Sequence, residues 1–269
     1  MSEQIMYYKS VDTEYNGKEY RVFYVRYGFG LGWFVEDIEP LPSHADVEII
    51  TSKASELVGK LRVIVVCEES QVVTKAFRKR GHEAYSCDLQ DCSGGHPEWH
   101  MKMDGFDAIH NGSWDIIIAH PPCTYLTVAG NRHYAKGKER HQLRIDSAEF
   151  VQQLWNEATS VCDMVAFENP VGCISTMCNL PKPIYIQPHE FGHTARKKTG
   201  LWLYGLPPLR PTNMVEPELV EYTRSNGKKT TFSADYMRGV DRSGKMKASG
   251  KRSKTYEGIA QAMADQWGN

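Results

Sequence analysis

Residues 20–50 alternate apolar and polar side chains, a pattern typical of β-strands that bury one face. Residues 20–26 and 33–35 flank a glycine-containing turn and predict a β-hairpin. Pro40 and Pro42 end this hairpin, and residues 47–50 are predicted to add a third strand. Because three strands this short need a neighbour, we expect the unit to pack against the rest of the chain.

From Lys60 onwards, predicted strands alternate with predicted helices. Residues 61–66 form a continuous apolar run, which is typical of a strand buried on both faces. Residues 71–80 have helical spacing, and Gly81 follows where a helix end favours glycine. Further strands are predicted at 82–87, 114–119, 164–167, 184–186 and 201–203, and further helices at 147–161 and 256–267. This alternation predicts an α/β, Rossmann-like fold with a mostly parallel sheet and a ligand site at the carboxyl ends of its strands.

The composition is that of an ordinary globular protein. The 269 residues carry 32 Lys and Arg against 33 Asp and Glu, a formal net charge of -1, and 41% are hydrophobic. No apolar run approaches the roughly 20 residues of a membrane helix, and the N-terminus lacks a signal-peptide pattern. Seven irregularly spaced cysteines do not make a disulfide framework. We therefore expect a soluble, cytoplasmic protein with no membrane association.

The near-zero net charge hides a strong asymmetry along the chain. Residues 1–57 carry five Lys and Arg against ten Asp and Glu, whereas residues 222–254 carry ten against two. A block of positive charge is either a solvated flexible face or a surface that binds nucleic-acid phosphates. Its glycines predict a loop or an extended ribbon rather than a helix.

Three motifs follow predicted strands, where this architecture carries its chemistry. Two prolines before Cys123 fix a rigid turn, which makes that residue a candidate nucleophile or, alternatively, a buried structural cysteine. Glu168 follows the strand predicted at 164–167. It is either a functional carboxylate or an acid that caps a helix or lies in a loop. Residues 187–199 form a basic cluster that supplies cations to a base or a phosphate, or is a solvated turn.

Together these motifs resemble the cytosine C5 DNA methyltransferases, most closely their short phage and prophage forms. The resemblance runs from residue 61 to the C-terminus, and its motifs are HPPCTY at 120–125, ENP at 168–170, the stretch 191–199 and the ending 258–267. It implies a methyltransferase core that uses S-adenosylmethionine to methylate C5 of cytosine in DNA. Cys123 would add to C6 of a flipped base, and Glu168 would act as an acid at N3, which calls for a raised pKa.

The resemblance also implies the residues that bind cofactor and substrate. Asp88 corresponds to the acid at the ribose hydroxyls and Asp104 to the acid at adenine; the full cofactor set is Glu68, Ser70, Asp88, Asp104 and Pro122. The loop at 67–71 lacks the glycine that the family usually has there. Arg196 and Lys198 are the candidates to replace an arginine that meets the cytosine carbonyl oxygen, with Lys197 as an open alternative.

The domain organisation that follows has four parts: a small acidic β unit at 1–58, the methyltransferase core at 59–208, a short basic target-recognition segment at 209–254, and a C-terminal helix at 255–269 that packs on the core. The predicted DNA-binding residues are Lys228, Lys229, Arg238, Arg242, Lys245 and Lys247. We expect DNA as the partner, a monomer, and a role in phage self-protection or restriction-modification.

Other interpretations stay open at this point. An amino-methyltransferase acting on adenine N6 or cytosine N4 would have an aromatic residue after the proline pair and need no thiol. A catalytically silent DNA-binding relative would explain the glycine-free loop, and RNA is an alternative substrate. The residues Cys87, Cys92, His96 and His100 have a spacing that allows zinc, but a strand end and loop histidines explain them as well, so we predict no metal.

Overall fold

A computed structural model of the chain describes residues 6–27, 34–43, 45–223, 227, 229–234 and 255–268. The described residues form a small three-stranded sheet, a seven-stranded sheet covered by helices, and a two-stranded hairpin. The seven-stranded sheet is mostly parallel, so the predicted α/β fold class is confirmed. None of the helices in these ranges combines the length and the apolar character needed to cross a membrane.

The small N-terminal sheet is antiparallel, in the order β1 (Met6–Tyr15), β2 (Lys18–Tyr27) and β3 (Phe34–Glu39). The predicted hairpin is β2–β3, and β1 was not predicted. The strand predicted at 47–50 is wrong, because these residues begin helix α1 (Val47–Val58). Ile50 and Ala54, one helical turn apart, are fully buried against Val22 of the sheet. The four-residue spacing of these two buried side chains is that of a helix, and it predicts the structure of this segment better than the short apolar run does.

The central sheet has the order β6–β5–β4–β7–β8–β10–β9, in which β10 alone runs antiparallel to its neighbours. Its strands are β4 (Arg62–Val66), β5 (Glu83–Asp88), β6 (His100–Lys102), β7 (Ile116–Ala119), β8 (Val165–Pro170), β9 (Ile184–Ile186) and β10 (Thr199–Tyr204). The helices that follow α1 are α2 (Val72–Lys79), α3 (Gly105–His110), α4 (Asn131–Tyr134), α5 (His141–Val161), α6 (Ile174–Met177) and α7 (Glu257–Trp267). The hairpin pairs β11 (Leu219–Thr223) with β12 (Lys229–Ser233).

The alternation of side chains along β4 builds two apolar cores. Val63 and Val65 pack with α2 and α7 on one face, while Ile64 and Val66 pack with α3 and α5 on the other. All four side chains are fully buried, each contributing about 1.5–3 kcal/mol relative to an exposed position. This rigid double layer fixes the strand ends at which the candidate motifs lie.

The N-terminal unit contacts the central sheet through Lys9. Its ammonium group lies 3.2 Å from the Asp115 carboxylate and donates to the Lys60 carbonyl oxygen at 3.1 Å. Asp115 also accepts the backbone N–H of Arg62 at 2.7 Å, so one carboxylate joins β1 to the start of β4.

Candidate active site

The Pro-Pro-Cys turn and the Glu-Asn-Pro motif lie side by side at the carboxyl ends of β7 and β8. These two strands are parallel neighbours, with Ala119 opposite Phe167. The amide of Asn169 donates to the Pro121 carbonyl oxygen at 2.7 Å, and Asn169 is 2% exposed. A second contact joins His120 Nδ1 to Glu168 Oε2 at 3.0 Å. The structure therefore brings together two motifs that are 48 residues apart in sequence.

The segments that follow the two motifs also pair with each other. Thr127 and Gly172 form a β-bridge, and the Cys173 N–H donates to the Leu126 carbonyl oxygen at 2.9 Å. A Cβ atom on Gly172 would lie 2.1 Å from that same oxygen, so this close approach requires glycine. The backbone of the Cys123 turn is thus fixed from both sides.

The Arg144 side chain of α5 binds the segment that directly follows Cys123. It is 5% exposed, and its guanidinium donates to the carbonyl oxygens of Tyr125 at 2.7 Å and Thr127 at 3.2 Å and to Asn131 Oδ1 at 2.8 Å. Sequence reasoning missed this residue and began α5 at residue 147 rather than His141, because a buried arginine does not extend an apolar stripe.

Cys123 is partly exposed, and its carbonyl oxygen accepts the N–H groups of Leu126 and Thr127 at 3.1 and 3.2 Å. All seven cysteines lie in the described ranges, and none forms a disulfide. Burial raises the pKa of the Cys67 and Cys87 thiols to about 12, so both remain protonated at neutral pH. These two neighbours of the site are therefore poor nucleophiles.

The electrostatics of Glu168 differ from the expectation. Burial acts to raise its pKa, but the hydrogen bond and charge of His120, the charge of Lys197 and a hydrogen bond from Thr199 outweigh it. The net direction is downward, so the raised pKa expected for Glu168 is corrected to a lowered one. The pKa of His120 moves upward: burial lowers it, and the two carboxylates of Glu168 and Glu68 outweigh that effect. Both shifts favour an ion pair, with the proton on His120, over a neutral pair.

A cleft of about 560 Å³ opens at the ends of β4, β5 and β7. Pro122 of the Pro-Pro-Cys turn lines it, whereas His120, Cys123 and Glu168 are not among its lining residues. Three of the five predicted cofactor residues line it, Asp88, Asp104 and Pro122, together with apolar side chains that include Leu143 and Phe150. Asp88 Oδ1 accepts the Gln90 N–H at 2.9 Å. Asp104 Oδ1 accepts the Phe106 N–H at 2.8 Å and begins α3. The cleft thus combines three carboxylates, those of Asp88, Asp104 and Asp146, with an apolar wall.

Glu68 and Ser70 are not among the residues that line the cleft, and both are buried. The Glu68 carboxylate binds the start of α2, accepting from Val73 N at 2.6 Å, Thr74 N at 3.2 Å and Thr74 Oγ1 at 2.7 Å. Burial raises the pKa of Glu68, while the His120 charge and these hydrogen bonds act against the rise. The structure thus assigns this side chain to helix capping.

The loop that lacks glycine nevertheless takes the backbone conformation that favours glycine. Cys67 has φ 59° and Gln71 has φ 57°, both in the left-handed region. The Gln71 side chain compensates, because Oε1 accepts His96 N at 3.0 Å while Nε2 donates to His96 O at 2.7 Å and Ser86 Oγ at 3.2 Å. These contacts hold the Gln71 backbone in a left-handed conformation that is otherwise unfavourable in free energy for a residue other than glycine.

In the basic cluster before β10, Lys197 rather than Arg196 or Lys198 acts on the motif pair. Lys197 is half-buried, and its charge lowers the pKa of both Glu168 and His120. Arg196 and Lys198 are exposed, and the Lys198 ammonium lies 4.2 Å from the centre of the Tyr185 ring. Lys197, which the sequence left open as an alternative, is therefore the residue of this cluster whose charge acts on Glu168 and His120.

Of the predicted DNA-binding residues, only Lys229 is described. It lies on β12 and pairs with Glu221 of β11 at 2.8 Å, with both side chains exposed. Lys228, Arg238, Arg242, Lys245 and Lys247 lie outside the described residues. A second basic stretch, which the sequence analysis overlooked, follows the Cys123 turn; its exposed cations are Arg132, Lys136, Lys138 and Arg140. A count of charge in ten-residue windows would have revealed it.

Three of the four residues considered for zinc, Cys87, His96 and His100, are engaged in other contacts. Cys87 Sγ lies 3.3 Å from the Met103 carbonyl oxygen, His96 stacks on Trp99, and His100 binds Ser86 Oγ and the Gln90 carbonyl oxygen. Within the described ranges, no group of three or more His, Cys, Asp or Glu side chains is arranged to hold a metal ion.

Neither a protein-family model nor a curated protein sequence matches this chain. Among solved structures, the bifunctional kinase-methyltransferase WbdD has 13% identity and a TM-score of 0.35, with 72% of this chain and 48% of that chain covered. WbdD bound to a kinase inhibitor has 14% identity and a TM-score of 0.36, covering 72% and 47%. The METTL16 methyltransferase domain has 11% identity and a TM-score of 0.31, covering 62% and 71%. The chain thus spans about half the length of WbdD, and these similarities concern the fold alone.

Proposed function

We propose that this chain transfers a methyl group from S-adenosylmethionine to C5 of cytosine in DNA. The observation that carries the proposal is the junction between the Cys123 turn and Glu168, held by Asn169 and His120 beside the cleft. A partly exposed thiol and a buried carboxylate at adjacent strand ends are the two groups that this reaction requires.

The cleft fits the proposed cofactor in chemistry. Carboxylates accept hydrogen bonds from ribose hydroxyls and from an adenine amine, which suits Asp88 and Asp104. Pro122, Leu143 and Phe150 offer an apolar wall for the base. S-adenosylmethionine supplies an electrophilic methyl group when it is bound. The left-handed loop at Cys67 removes the objection that a glycine-free loop cannot adopt the required conformation.

Cys123 performs the covalent step in this proposal. Its thiolate adds to C6 of cytosine, forming the S–C6 bond and moving the C5–C6 π electrons so that C5 becomes nucleophilic. After methylation, solvent water takes the C5 proton, the C5–H electron pair re-forms the C5–C6 double bond, and the S–C6 bond breaks, which releases the thiolate and restores the aromatic ring. Glu168 and its partner His120 act at the N3 side, where negative charge develops during addition.

DNA as the substrate is supported by positive charge in the segment that follows the Cys123 turn. Arg132, Lys136, Lys138 and Arg140 follow the Cys123 turn and are exposed, as phosphate-binding side chains must be. Because Glu168 is only 14% exposed, a base has to leave the duplex stack to reach it. The basic segment at 222–254 adds further cations at a second place along the chain.

The test is bisulfite sequencing of plasmid DNA from cells that express the wild-type chain, Cys123→Ser or the control Cys92→Ser. Cys92 is a partly exposed cysteine like Cys123, but it lies in the loop between β5 and β6 rather than in the turn that follows β7. The proposal expects protected cytosines in one sequence context for the wild type and the control, and none for Cys123→Ser. Complete conversion of cytosine in all three strains, or protection that persists in Cys123→Ser, would overturn it.

A further inference from the structure

A buried histidine stands directly before the Pro-Pro-Cys turn. The backbone N–H of His120 donates to Val66 O at 2.9 Å, which fixes the residue between the ends of β4 and β7. Its side chain is 11% exposed, and Nδ1 lies 3.0 Å from Glu168 Oε2. No acceptor among the described residues reaches the other ring nitrogen, Nε2, which is also buried. The orientation of the ring is therefore set by Glu168.

Three charged groups face His120, each from a different element. Glu168 comes from β8, Glu68 from the loop before α2, and Lys197 from the segment before β10. Two carboxylates against one ammonium favour a positive charge on the ring, although its burial opposes that charge. The hydrogen bond and charge of His120 in turn lower the pKa of Glu168, and the contact fixes its carboxylate through Oε2.

We propose that His120 is a positioning residue that carries, as an imidazolium, the single proton of the His120–Glu168 pair and holds the Glu168 carboxylate toward the substrate. The acid function that the chemistry assigns to Glu168 then belongs to the pair. The Nδ1–H bond breaks as an Oε2–H bond forms, and that O–H bond breaks in turn as an N3–H bond forms on the substrate. The pair is left with a neutral imidazole and an ionised carboxylate, and N3 returns its proton to the pair when the thiolate leaves. The catalytic meaning of this inference rests on the proposed function, whereas the charge state of the pair does not.

The first experiment therefore needs no activity. The imidazole nitrogens of the protein labelled with 15N-histidine are followed by NMR against pH, and His120 is assigned from the signal that disappears in His120→Asn and, independently, in His120→Gln. We expect His120 to remain an imidazolium above the ordinary histidine pKa of about 6.5, and Glu168→Gln to weaken its proton affinity at least about tenfold. A neutral ring at pH 6.5, or no change in Glu168→Gln, would refute the inference whether or not the protein methylates DNA.

The second experiment measures single-turnover methylation against pH. We expect the wild-type rate to fall as pH rises through the pKa of His120, and His120→Asn to be at least about tenfold slower at neutral pH and to lack that fall. The control is His110→Asn, which removes an exposed histidine at the same 3.0 Å distance from a glutamate, Glu157. Equal pH profiles for wild type and His120→Asn would contradict the inference. If the wild type is inactive but His120 is an imidazolium, the proposed function is wrong and the inference about the charge state of the pair stands.

Discussion

The side-chain amide of Asn169 donates a hydrogen bond to the carbonyl oxygen of Pro121 at 2.7 Å. Pro121 is buried and has no N–H group of its own, and Asn169 belongs to the strand that carries Glu168. Together with the parallel pairing of β7 and β8, this contact fixes the turn that carries Cys123 against the strand that carries Glu168. The relative placement of the two groups is therefore a property of the sheet and not of a mobile loop.

Asn169→Ala should reduce stability and activity together. The variant leaves the buried Pro121 carbonyl oxygen without its donor, which costs about 1–3 kcal/mol of unfolding free energy. Urea denaturation measures this decrease, with Asn156→Ala on the exposed face of α5 as the control. A stability equal to that of the control would show that the contact does not hold the motifs together.

Asp88→Asn should weaken S-adenosylmethionine binding by about 10-fold to 100-fold, because a hydrogen bond to a charged acceptor is worth about 1.5–3 kcal/mol. Isothermal calorimetry checks this. The matched control is Asp91→Asn, three residues further on, whose carboxylate pairs with Lys102 at 2.9 Å on the surface. Equal affinities for the two variants would remove Asp88 from the cofactor site.

The His120–Glu168 pair predicts a window of pH in which it stabilises the fold. The lowered pKa of Glu168 contributes stability above its unfolded value of about 4.5, and this is lost as pH falls through the folded pKa. The raised pKa of His120 contributes stability below its unfolded value of about 6.5, and this is lost as pH rises through the folded pKa. The difference in unfolding free energy between wild type and Glu168→Gln should thus be largest between these values. A difference that does not vary from pH 4 to pH 9 would contradict the pairing.

The two basic stretches make separable predictions about DNA affinity. Replacing Arg132, Lys136, Lys138 and Arg140 with glutamine should reduce the slope of log affinity against log salt by about 0.9 for each phosphate that the protein no longer neutralises. The same experiment on Lys228, Lys229, Lys245 and Lys247 tests the segment predicted first. Fluorescence anisotropy with a labelled duplex gives both slopes. A quadruple variant that keeps its affinity and slope would exclude that stretch from the DNA-binding surface.

Much of the fold is predictable from the sequence because buried parallel strands have a plain signature. The apolar runs of β4 and β7 identify the sheet, and the motifs at the strand ends identify the positions of Cys123 and Glu168. The strand predicted at 47–50 is wrong because the three apolar residues of this segment, Val47, Ile49 and Ile50, fit a strand as well as a helical turn. The spacing of buried side chains along the chain distinguishes a helix from a strand here, whereas the residue composition does not.

The site was harder to predict wherever a polar side chain has a structural task. Glu68 caps α2, and Arg144 binds carbonyl oxygens of a loop. Neither role changes the spacing of apolar residues along the sequence, so the hydrophobic pattern does not reveal it. The lowered pKa of Glu168 depends on a histidine 48 residues away, which no local pattern reveals. Such through-space partners become visible only when the strand order is known.

The most direct test of the account is whether Cys123 forms a bond to the target base. A duplex with 5-fluorocytosine at the methylated position blocks removal of the C5 substituent, so the adduct persists. With S-adenosylmethionine present, we expect mass spectrometry to find wild-type protein covalently joined to the DNA through the peptide containing Cys123, and no adduct with Cys123→Ser. An active wild type that forms no adduct, or an adduct that survives in Cys123→Ser, would contradict covalent catalysis by this residue.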